Sequence, residues 1–135
     1  MAVTFSHAVR SAMVDVIETT IGASAIMKIW SGTPPANARA ADTGDGSVLA
    51  QLDLPASWMA AAVDGVAAKD GTWSDTSANA AGTATHFRIY TGPGGTVCGI
   101  QGSVGQGSGD LSLDNTTIAV GQVVTVTAFG LTAGN

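Results

Sequence analysis

The sequence predicts a mainly β protein, an antiparallel β-sandwich of jelly-roll type with one N-terminal α-helix, in a single domain covering residues 1–135. Three observations predict it. Apolar residues recur at helical spacing only before Gly22, and at period two after it. Short alternating runs follow one another between Gly, Pro and Asp turn signals, the pattern of sandwiches and barrels. No helical segment alternates with these runs, which argues against a parallel α/β sheet.

The helix is expected over about residues 5–21. Phe5, Val9, Met13, Val16 and Ile17 form its apolar side, with Ala8 and Ala12 beside them, while His7, Arg10, Ser11, Asp15 and Glu18 lie mostly on the other faces. Thr4 or Ser6 supplies a cap and Gly22 a stop. A first strand follows from Ala25 to Trp30 and ends at Ser31-Gly-Thr-Pro-Pro35, because proline cannot donate to a ladder. After a polar, Ala-rich loop through Gly46, Val48, Ala50, Leu52 and Leu54 alternate as a second strand, stopped by Pro55. Trp58–Val63 and Val66–Trp73 flank Asp64-Gly65, a type I′ hairpin signal. Residues 74–82 read as a flexible connection. Thr83–Thr91 and Thr96–Val104 flank Gly92-Pro-Gly-Gly95 as a second hairpin, and Gly105–Gly109 is a loop. Short strands at Leu111–Leu113 and Ile118–Val120, and a long one at Val123–Leu131, complete the chain.

Composition narrows the function classes. Only 11% of residues are charged, against about 25% in an average domain, and the five cations stand singly. Nucleic acid needs several Lys or Arg converging on phosphates, so no nucleic acid is expected as a partner. The missing basic cluster also argues against an anionic membrane surface, and no apolar run reaches the ~20 residues of a spanning helix. No secretory signal pattern is evident at the N-terminus. Alanine accounts for 23 residues, so the hydrophobic fraction overstates the core. A thin core and sheet edges with few guarding lysines predict stabilisation by association.

The chemistry-bearing residues are few. No cofactor and no metal are expected: there are two histidines, and the lone Cys98 excludes an internal disulfide and a cysteine-based zinc site. Asp42-Thr-Gly-Asp45-Gly46 resembles a calcium loop only faintly, lacking the alternating ligands and distal Glu. His86, Arg88 and Tyr90 share one face of a strand, opposite Phe87 and Ile89. They form a polar outer face or part of a subunit contact, with a ligand or catalytic row as the sharper alternative. Cys98 alternates with Ile100 toward the apolar side, as a small buried hydrophobe. Trp30, Trp58 and Trp73 fall at strand ends, where they either plug the sandwich, anchor a protein interface or form a carbohydrate-stacking platform.

Several segments resemble a known class. Thr83-Ala-Thr-His-Phe-Arg-Ile-Tyr90, Gly92-Pro-Gly-Gly95, Gly102-Ser-Val-Gly105, Gly109-Asp-Leu-Ser-Leu-Asp-Asn-Thr116 and Ile118-Ala-Val-Gly-Gln-Val-Val-Thr-Val-Thr-Ala-Phe129 are similar to small structural proteins of tailed-bacteriophage virions. Trp30-Ser-Gly-Thr-Pro-Pro35 and Gly46-Ser-Val-Leu-Ala-Gln-Leu52 resemble the same group, so the likeness covers most of residues 25–131. It implies a non-enzymatic virion component, made in the host cytoplasm and foremost a capsid decoration or cement protein. The implied partners are the major capsid protein, other virion proteins and copies of itself, with a trimer favoured. A tail or adsorption protein with a glycan-binding module is the alternative, and a small enzyme centred on His86 a third.

Overall fold

The computed structural model describes residues 1–134. Among them one helix precedes ten short strands: α1 (His7–Ile21), β1 (Ile26–Trp30), β2 (Val48–Asp53), β3 (Val66–Ala68), β4 (Ser74–Asp75), β5 (Gly82–Thr83), β6 (His86–Thr91), β7 (Val97–Gly105), β8 (Leu111–Leu113), β9 (Thr117–Ile118) and β10 (Val124–Thr132). The helix starts two residues later than its apolar pattern because Ser6 is the cap. The Ser6 hydroxyl accepts from the Val9 N–H at 3.3 Å. Gly22 ends the helix at φ +98°, a conformation that disfavours any side chain, and its N–H reaches Glu18 O at 2.8 Å.

Eight strands form one curled sheet in the order β2-β1-β6-β7-β8-β10-β3, with β4 pairing β10 as well. The curl turns back on itself through residues 75–80. The Asp75 carboxylate accepts from Gln51 N–H at 3.0 Å, and the Asn79 N–H donates to Leu49 O at 2.7 Å. The stretch expected to be a flexible connection is therefore structured, holding β4 and the start of the small β5–β9 ribbon. A second difference is that β7 and β8 pair in parallel, Val104 with Leu111 and Gly105 with Ser112, across the glycine loop. Asp64-Gly65 does make the type I′ turn, with φ +53° and +78°. The arms beside it are short, however, joined by bridges at Val63–Val66 and Met59–Lys69 rather than by a full ladder.

The inner face of the curl is apolar. Met27, Ile29, Leu49, Leu52, Phe87, Ile89, Leu111, Leu113, Val124 and Val126 are fully buried there, together with Trp58 and Trp73. A chain of rings crosses the centre, Trp58 to Trp73 (6.1 Å), Trp73 to Phe129 (5.4 Å) and Phe129 to Phe87 (5.6 Å, edge-on). Four large rings thus compensate for the alanine-rich composition, since aromatic side chains bury the most area per residue.

The helix lies the other way round from its apolar pattern. Val14 and Ile21 are buried and Ile17 partly so, but Val9, Met13 and Val16 are exposed. What faces the sheet is the polar row. Ser11 Oγ accepts from Gly65 N–H (3.0 Å), Asp15 from Ala62 N–H (2.8 Å) and Glu18 from Met59 N–H (3.1 Å), while Arg10 donates to Ala133 O (3.2 Å). His7 meets Asp64 at 2.6 Å. Residues 59–65 form the outer arm beside β3, so these side chains satisfy backbone donors that the sheet leaves free. The helix covers one sheet edge and residues 75–80 the other, a covering that blocks strand addition without lysine guards.

Candidate functional site

Strand alternation places Trp30, Lys28 and Ile26 of β1, His86, Arg88 and Tyr90 of β6, and Ser103, Gln101 and Cys98 of β7 opposite one another in the register. His86, Arg88 and Tyr90 face away from Phe87 and Ile89, as the period-two pattern requires. They are nonetheless buried, because the loop between β1 and β2 folds over them as a strap.

Arg88 holds the strap. It is 2% exposed, and its guanidinium donates to the Asp42 carboxylate, to Ala38 O (2.9 Å) and Ala40 O (2.7 Å), and to Cys98 Sγ (3.3 Å). Tyr90 lies beneath, with its hydroxyl 3.4 Å from Asp42 and its ring flanked by Lys28 Nζ (4.8 Å) and Arg88 Cζ (5.6 Å). Gln101 Nε2 reaches Pro35 O at 2.7 Å, tying the strap to β7 as well. At the base of the strap, Ser31 Oγ accepts from Ser47 N–H (3.0 Å), and a Cβ on Gly46 would collide with Ser31 O. Only glycine lets the two stems approach this closely.

The two aspartates of the faint calcium-like sequence serve this closure separately. Asp42 faces Arg88, while Asp45 accepts from Thr33 N–H (3.0 Å) and Thr43 Oγ1 (2.8 Å). Thr33 above all, then Thr43, lowers the Asp45 pKa to about 2. A carboxylate depressed in the folded state adds stability above its unfolded value of 3.8 and loses it as pH falls through about 2. The stem is therefore expected to stay closed at pH 4 and to loosen only toward pH 2, read as hydrogen exchange of the Thr33 amide. Unprotected exchange of that amide already at pH 4 would contradict this.

Burial shifts the titratable groups of the covered face. Burial first, and the Arg88 charge second, hold His86 below the usual histidine value, so its ring is neutral at pH 7. It stacks on Trp30 at 6.2 Å and has Thr85 Oγ1 at 2.9 Å from Nδ1. Burial pushes Tyr90 up to about 12 and raises the Cys98 thiol, opposite to what a nucleophile needs. A cleft of about 510 Å³ opens between the strap and the β6–β7 turn, floored by Arg88, Tyr90 and Cys98. Arg88 at its floor already has partners in the strap and in Cys98, so the floor of the cleft is a structural lock.

The row His86, Arg88 and Tyr90 is thus brought together, with Trp30 stacked at its end. Trp58 and Trp73 do not join it. Both are 0% exposed in the core, with their indole N–H groups on Gly22 O (3.2 Å) and Asp70 O (2.9 Å), so the three indoles form no stacking platform. Cys98 also departs from expectation. A register shift at Gly99 pairs Ile100 with Ile89 but Cys98 with Tyr90, turning the thiol to the strap side. The pairing of Asp42 with Arg88 and of Gln101 with Pro35 carried no sequence signal, because the partners stand 46 and 66 residues apart. The docking row of α1 did carry one, a repeat of short acceptors at Ser11, Asp15 and Glu18 on a single helix side. Compared with known protein families, curated proteins and solved structures, the chain matches none of them.

Proposed function

We propose that this protein is a non-enzymatic structural component of a tailed-phage particle, foremost a capsid decoration protein that cements neighbouring shell subunits. The observation that supports this most is the direction of α1, which spends its polar side on its own fold and turns Val9, Met13 and Val16 to the outside. A protein that works by broad contacts needs such a surface, and contiguous exposed apolar residues mark interaction sites. The segments that resemble small virion proteins support the reading from the sequence side. The locked strap face favours it over an enzyme centred on His86. In this reading the curled sheet acts as a jelly-roll sandwich, with β1-β6-β7 facing β8-β10 across the aromatic chain.

A decoration protein adds binding energy that must be broken before a shell opens. Particles assembled without this protein are expected to rupture at lower temperature or milder osmotic shock than complete ones, and electron microscopy is expected to place it on the head surface. Its absence from the particle, or equal robustness without it, overturns the cement reading. Density on the tail would transfer it to the adsorption alternative.

A further inference from the structure

The outward row of α1 has a definite spacing. Val9, Met13 and Val16 are separated by four and then three residues, and are 46%, 42% and 54% exposed. A four–three alternation is the seam of helix against helix in supercoiled pairs and bundles, where each seam residue enters a hole on the facing helix. Thr20 continues the row and Ala12 flanks it, both exposed. The charged side chains of the helix lie elsewhere. Arg10, Asp15 and Glu18 bond to backbone groups of their own chain, and His7 to Asp64.

We infer that this seam is the self-association surface of the protein, covered by α1 of other copies of the same chain around a rotation axis. A copy of the same row is the occupant that best fits it. A symmetric contact repeats its residues on both sides, so an uncharged seam meets another with neither like-charge repulsion nor an unpaired charge. The chain carries a formal charge of −5, so two copies approach most easily where the surface is neutral. A lipid surface fits poorly, since interfacial helices rely on Lys or Arg along their polar side, and here Arg10 is turned inward to Ala133.

Size sets the strength. Fifteen helical residues make a rod ~22 Å long and ~10 Å wide, a strip of about 200 Å² against the ~800 Å² per partner of a standard interface. One helix pair is too small for a lasting dimer. Three helices around an axis cover each seam from two sides and so bury more of it than a single pair does. The association is therefore weak and concentration-dependent in free solution, and strong when a lattice holds the copies side by side. This inference rests on the assembly reading for its purpose.

The test is the mass of the purified full chain by light scattering and sedimentation from micromolar to millimolar concentration. The wild type is expected to move from monomer toward trimer, and Met13→Glu to shift that transition at least tenfold higher while keeping the wild-type circular dichroism. A second variant keeps the test open should Met13→Glu misfold: Met13→Cys in a Cys98→Ser background is expected to form a disulfide-linked pair far faster than Ser77→Cys in the same background. A monomer at every concentration overturns the inference. So does an oligomer that Met13→Glu leaves intact and that the Met13→Cys variant does not cross-link. Self-association through this seam in a protein absent from phage particles leaves the inference standing and removes the reading it was built on.

Discussion

Replacing Trp73 with alanine is expected to destabilise the fold by about 3–5 kcal/mol, the usual cost of deleting a large buried aromatic. Trp73 is the middle ring of the chain that links Trp58 to Phe129 and Phe87, so its loss opens a cavity between the two sides of the curl. Its indole N–H also serves Asp70 O at 2.9 Å, and alanine leaves that carbonyl without its partner. Domains are marginal, with roughly 5–15 kcal/mol in total, so a core thinned by alanine has little reserve. The guanidinium midpoint and the near-ultraviolet dichroism report it. Trp73→Phe is expected to lose less than half as much, because a ring remains. A Trp73→Ala protein as stable as the wild type would mean that the aromatic chain is not the centre of the core.

Replacing Arg88 with methionine is expected to free the strap and to cost about 2–4 kcal/mol. Methionine keeps an apolar stem but removes all four hydrogen bonds to Asp42, Ala38, Ala40 and Cys98. Removing one partner of a fully buried ion pair costs ~3–5 kcal/mol, and the figure here is lower because the Asp42 side chain is 40% exposed and regains water when the strap lifts. Two local readouts separate strap release from global unfolding. Trypsin is expected to cut after the exposed Arg39, and the Cys98 thiol to react faster with a disulfide reagent, since Arg88 and the strap no longer cover it. Arg88→Lys is not expected to restore either, because a single ammonium cannot reach acceptors on both sides as a planar guanidinium does. Unchanged trypsin sensitivity and thiol reactivity in Arg88→Met would show that the strap is held by its stems alone.

These two residues mark where sequence reading reaches and where it stops. Strand alternation put Arg88 beside His86 and Tyr90 and opposite Phe87 and Ile89, and the register keeps that order. Alternation does not say whether the face away from the core meets water or chain. The strap decides it, through carbonyls and a carboxylate some 50 residues distant. Trp58 and Trp73 were legible as strand-end aromatics, but their depth was not, because a tryptophan at a strand end suits a plug as well as a platform.

Local patterns determined what is local. The β content, the single helix and its stop at Gly22, the Asp64-Gly65 turn and the β6–β7 hairpin follow from propensity, period and φ alone. The helix illustrates the remainder. Its apolar row gave one face and its polar row another, and four side-chain acceptors and donors of the polar row found free backbone partners on residues 59–65 and at Ala133. Satisfying those edge groups together with burying Val14, Ile17 and Ile21 fixed the orientation. A sequence records which faces a helix has. Which one turns inward depends on the unpaired donors and acceptors of the surface it meets, and only the tertiary structure supplies those.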